Sequence, residues 1–117
     1  MKIVSILGVG ALLFSVGFGA QSVLADDAPV VFTEAFLKDK AIFKQGKEIW
    51  FEQCTHCHGY KAYPGKAPKL KPKRYTPEFV YKRVSKGFKK MPAWEEVYDK
   101  DELMAVVAYV KHRKFSP

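Results

Sequence analysis

Cys54-Thr55-His56-Cys57-His58 is a C-x-x-C-H. Two thiols three residues apart on one helical turn reach the two vinyl groups along one edge of a porphyrin. The next residue, His58, then stands where an imidazole nitrogen meets the iron. Two rival readings use the same residues. A thioredoxin-like redox pair needs a βαβ context, but the flanks read as helix and loop. A zinc site needs four ligands, usually in two separated pairs, and His112 is the only other cysteine or histidine in the chain. The motif therefore predicts a covalently attached haem c, with Cys54 and Cys57 as attachment points and His58 on the iron.

Upstream, Asp39 is a good helix N-cap. Ile42, Phe43, Gly46, Ile49, Trp50 and Gln53 follow at spacings of three and four, the mark of one helical face, and the helix runs directly into Cys54. Glycine inside a helix costs about 1 kcal/mol against alanine, so Gly46 calls for a reason, and close approach of another helix supplies one. Downstream, residues 59–73 read as loop, rich in proline and lysine. Thr76-Pro77-Glu78 is a helix start, with Phe79, Val80 and Val84 as its apolar face and Gly87 as its stop. Residues 88–94 are loop again. Asp99-x-x-Glu102 has capping-box spacing, and the last helix carries Leu103, Val106, Val107 and Val110 on one face, ending near Lys114. No strand and no internal repeat is predicted.

The length of 117 residues allows one domain. Lys2 and the apolar run 3–20, closed by Val23-Leu24-Ala25, read as a secretory signal peptide covering 1–25. Cleavage after Ala25 leaves residues 26–117, an irregular arm over 26–38 and the folded domain over 39–117. Kept uncleaved, the same run is just long enough to anchor in a bilayer. Either way the domain is expected outside the cytoplasm, in the periplasm, with no membrane insertion once the leader is removed. A domain this small has little core of its own, and a buried porphyrin supplies an apolar plate to pack on. The net charge is +8. It serves either as a solubilising surface or to steer an acidic protein partner. No nucleic-acid recognition motif is present.

The chain resembles a class I, single-haem bacterial cytochrome c over roughly residues 39–113. The residues that carry this are Gly46-Lys47-Glu48-Ile49-Trp50 before Cys54-x-x-Cys57-His58, and Val106-Val107-Ala108-Tyr109-Val110-Lys111 in the last helix. The resemblance implies an all-α small cytochrome c fold, its N- and C-terminal helices crossing over the haem at Gly46, with Trp50 and Tyr109 packed there. Ala67-Pro68-Lys69-Leu70 is similar to a family Gly-Pro-x-Leu with alanine in place of the glycine. This implies that the Pro68 carbonyl accepts the His58 Nδ1–H. Met91-Pro92 resembles the family's distal Met-Pro and implies Met91 as the second axial ligand, whereas Met104 reads as core filler.

The expected function is one-electron transfer between a periplasmic dehydrogenase and a terminal oxidase or reductase, by a monomer with no catalytic residues of its own. Lys61, Lys66, Lys69, Lys89 and Lys90 are the expected docking cations, some of which merely solvate loops. Two other classes stay open. One is a haem c subunit of a larger dehydrogenase, and the other a haem sensor or enzyme with an open sixth position.

Overall fold

Helix α5 (Lys100–Lys111) is the axis of the fold, and every residue from Leu103 to Val110 in it is buried. The sequence face of four apolar residues is therefore too narrow. Ala105 and Ala108 turn the opposite side inward as well, because neighbours pack around the helix. Its start is a complete capping box. Asp99 accepts from the Glu102 backbone N–H at 2.9 Å and Glu102 returns a bond to the Asp99 N–H at 2.9 Å.

The computed structural model describes residues 29–115. The expected leader and its cleavage site after Ala25 lie outside the described residues. The arm is not wholly irregular. Thr33 caps a short helix, α1 (Glu34–Lys38), by accepting from the Phe36 N–H at 3.1 Å. The arm is tied down through Phe32, whose ring lies 6.0 Å from Phe36 and 6.2 Å from Tyr81. That aromatic contact has no periodic signature.

Helix α2 (Lys40–Ile49) starts where Asp39 accepts from the Ala41 and Ile42 N–H groups at 2.7 and 2.9 Å. It packs most extensively against α5. A methyl group on Gly46 would sit 1.9 Å from the Ala105 carbonyl oxygen, so only glycine allows this approach. Phe43, Trp50 and Phe115 close around Tyr109, at ring separations of 5.2, 6.0 and 5.3 Å.

A turn of π-helix (Trp50–Cys54) and the short helix α3 (Thr55–His58) continue α2. A 3₁₀ turn (Pro72–Arg74) precedes α4 (Pro77–Lys86), which Thr76 caps at the Phe79 N–H. Phe79 is not on the core face of α4. It is 43% exposed, stacked on Tyr75 at 5.3 Å. Among the described residues there is no strand, only an isolated bridge between Phe88 and Met91. No helix of the described residues is long and apolar enough to cross a membrane.

Candidate functional site

The helix that leads to the motif widens before it arrives. Over Trp50–Cys54 the backbone bonds lengthen their reach by one residue, and the Thr55 N–H donates to the Trp50 carbonyl. The Thr55 hydroxyl adds a bond to the Phe51 carbonyl at 3.0 Å. Such π turns are common at functional sites. Here the extra residue resets the direction in which Cys54, Cys57 and His58 leave the face that packs on α5. The spacing of three and four read from Ile42 to Gln53 runs into this turn without marking it.

Both thiols are free, Cys54 partly buried and Cys57 exposed. Burial, with a smaller contribution from Cys57, pushes the Cys54 thiol up to about 12. Redox-active C-x-x-C pairs have the opposite shift, toward thiolate, so the thioredoxin-like reading loses its chemistry. Among the described residues no group of three or more histidine, cysteine or acidic side chains could hold a bare metal ion. This removes the zinc reading.

His58 stands behind the buried Trp50, with ring centroids 5.6 Å apart. The indole is fixed by its own Nε1–H, which donates to the Tyr60 carbonyl at 3.0 Å. Burial holds the His58 imidazole below the usual histidine range, in the neutral form a metal ligand requires. Its Nδ1 is buried and has no hydrogen-bond partner. The bond expected to the Pro68 carbonyl is therefore not made, and Pro68 itself is exposed. The loop reaches the motif through backbone instead. Gly59 turns at φ 77°, and Gly65 packs so tightly that a methyl group there would lie 2.4 Å from the Cys57 carbonyl oxygen. That same oxygen accepts from the Ala67 N–H at 2.7 Å. The loop is thus pinned one residue before the histidine. Gly59 and Gly65 are site residues that sequence reading missed, although their flanking positions on the motif and on Pro64 were visible.

Met91 closes a tight turn with Phe88, each donating its N–H to the other's carbonyl at 3.0 Å. Lys89, at the first central position, has φ 54°. For a lysine this backbone costs about 1–3 kcal/mol and persists only where the surroundings impose it. Gly87, expected only to stop a helix, packs against the same turn. At φ 72° it lies so close beneath the turn that a methyl group would be 2.5 Å from the Met91 carbonyl oxygen. The Trp94 N–H, donating to the Val84 carbonyl at 3.1 Å, holds the far end of the segment to α4.

Cys54, Leu70, Tyr75, Met91, Trp94 and Tyr98 are all only partly buried and all pack against the one core cluster. A set of large apolar side chains, covered on one side and open on the other, fits a flat apolar group. The half-buried imidazole and the two unpaired thiols fit its iron and its attachment edge. The five expected docking lysines are exposed. Lys66 Nζ lies 3.2 Å from His56 Nε2, Lys69 Nζ 4.0 Å from the Tyr63 ring centroid, and Lys89 Nζ 5.4 Å from that of Phe88.

Residues 41–110 match the family described as cytochrome c oxidase, cbb3-type, subunit III. The chain belongs to this cytochrome c family. No curated protein matches it. Among solved structures the cytochrome is similar to the c-type cytochrome NirC, at 23% identity and a TM-score of 0.53, over 68% of this chain and 99% of that one. It is also similar to cytochrome CL of the marine methylotroph Methylophaga aminisulfidivorans, at 20% identity and a TM-score of 0.58, over 81% of this chain and 70% of that one. The cytochrome thus has the all-α single-haem fold, binds haem c covalently and is an electron carrier.

Proposed function

We propose that this cytochrome is exported and works in the periplasm, taking one electron from a dehydrogenase and passing it to a terminal oxidase or reductase. In this reading Cys54 and Cys57 would hold the haem through thioether bonds, and His58 and Met91 would ligate its iron. When bound, haem supplies reversible one-electron exchange at its iron. The chain supplies the rest. The motif turn fixes both thiols and the imidazole on one rigid segment, Trp50 backs the His58 ring, and the thioether of Met91 favours the reduced state. The observation that carries the reading is a half-buried, neutral imidazole, its buried Nδ1 without a partner, directly after two unpaired thiols. The exposed lysines Lys61, Lys66, Lys69, Lys89 and Lys90 support brief docking of an acidic partner, where charge raises the encounter rate more than the affinity.

Visible spectra of the purified protein, oxidised and reduced, test the ligand set. A sharp reduced α-band, the weak far-red band of methionine-bound ferric haem and slow carbon monoxide binding are expected. Rapid carbon monoxide binding by the reduced protein would instead favour an open sixth position. The family's description as an oxidase subunit favours a second reading, a haem subunit of a larger complex. A chain that purifies only with larger partners supports that reading, and a free monomer in size-exclusion chromatography supports the shuttle.

A further inference from the structure

Six cations converge where the loop before α4 meets the end of α5. Lys69, Lys71, Lys73, Arg74, Lys111 and Arg113 line a cleft of about 250 Å³ to which no carboxylate contributes. The ion pairs among the described residues engage Lys38, Lys44 and Lys86, and none of these six. Glu78, outside the cleft lining, acts on Lys111. A chain whose net charge is +8 therefore gathers much of its excess at one concave place.

A simpler account exists for part of this. Cations in a helix's last turn complement its negative end, which explains Lys111. It leaves Lys69, Lys71, Lys73 and Arg74 unexplained, since they belong to a different segment. It also leaves the direction of Lys111 unexplained. Its Nζ turns inward and donates to the Pro72 carbonyl at 2.6 Å and to the Tyr75 carbonyl. Lys111 thus ties the loop to the helix from within the cleft lining. Repulsion among cations held this way is relieved by a bound anion.

We propose that this cleft binds a small polyvalent phosphoryl anion. The volume sets the size, since drug-sized ligands occupy roughly 300–1,000 Å³ and this cleft takes one or two phosphoryl groups rather than a nucleotide. The donors set the chemistry. Two guanidinium groups offer the paired N–H bonds that phosphate oxygens accept, and lysines from a second segment meet the remaining oxygens. A soluble diphosphate and the head group of an anionic phospholipid share this chemistry.

The test uses the haem-loaded protein at low ionic strength. Calorimetric titration with inorganic diphosphate is compared between the native chain, Lys73→Gln/Arg113→Gln, and the charge-matched control Lys38→Gln/Lys44→Gln. Binding of one diphosphate per chain is expected, weakened about tenfold by the cleft pair and less than about twofold by the control pair. Sedimentation with phosphatidylglycerol vesicles, against phosphatidylcholine, then separates the sources. Diphosphate-reversible vesicle binding identifies the lipid head group, and diphosphate binding without vesicle binding identifies a soluble ligand. Equal weakening by both variants overturns the proposal, as does displacement of diphosphate by polyglutamate at equal charge. So does absence of binding with a shifted midpoint potential in the cleft variant, because the cations would then serve the haem's own carboxylates.

Discussion

The two turns that present His58 and Met91 are built in opposite ways. The His58 turn is a continuation of α2, closed by bonds between near neighbours, such as Thr55 N–H to the Trp50 carbonyl and Gly59 N–H to the Thr55 carbonyl. The Met91 turn has almost no regular structure. It holds its shape because Gly87 lies beneath it, α4 accepts from Trp94, and Lys89 is held at positive φ. One turn is a local product of its own residues and the other is imposed by what surrounds it. The proposed ligand set needs both residues fixed, which helix propagation does on one side and close packing on the other.

The largest expected effect removes the attachment on the helical side. Cys54→Ala/Cys57→Ala should abolish covalent attachment, so that acidified organic solvent strips all colour from the chain. Next, Gly46→Ala breaks the scaffold that carries the His58 turn. A methyl group 1.9 Å from the Ala105 carbonyl oxygen cannot be relieved by rotating a side chain. A loss of about 3 kcal/mol or more is expected in denaturant unfolding of the haem-loaded protein. Gly87→Ala attacks the Met91 side alone. It should cost about 1–3 kcal/mol and weaken the methionine signature of the ferric spectrum while leaving the haem attached. If Gly87→Ala left that signature intact, the Met91 turn would be self-supporting and the contrast would fail.

The smallest effect sharpens the comparison through pH. Burial, and then Lys114 and Arg113, hold His112 below its ordinary 6.5, with its ring 4.4 Å from that of Phe43. The unfolded chain therefore binds the proton more readily than the folded one. The stabilisation from neutral His112 is complete above pH 6.5 and declines as pH falls from there through the lower folded value. Thermal unfolding between pH 7 and pH 5 should show this decline, and His112→Gln should flatten it without changing the methionine signature.

The residues of the helical half were legible because each signal acts within a turn. Asp39, Thr76 and Asp99 cap where their oxygens find N–H groups two or three residues on. The unexplained glycine at position 46 was legible as a helix contact because its cost demanded compensation. The α1 cap at Thr33, the outward Phe79 and the all-round burial of α5 were not legible. Phe79 and Val80 are adjacent apolar residues on α4, and only the packed neighbours decide which of them faces inward.

By itself the sequence determined the motif, the starts of α2, α4 and α5 and the all-α class, since these rest on residues that touch through at most a turn of backbone. Tertiary structure alone decided which glycine serves which carbonyl. It placed Gly46 under Ala105, Gly65 under Cys57 and Gly87 under Met91. It also left the buried His58 Nδ1 without the Pro68 bond expected of it, and brought the cations of residues 69–74 against those of residues 111–113. The physical reason is the same in each case. Contacts between distant segments depend on how closely two backbones can approach, which no spacing along one segment records.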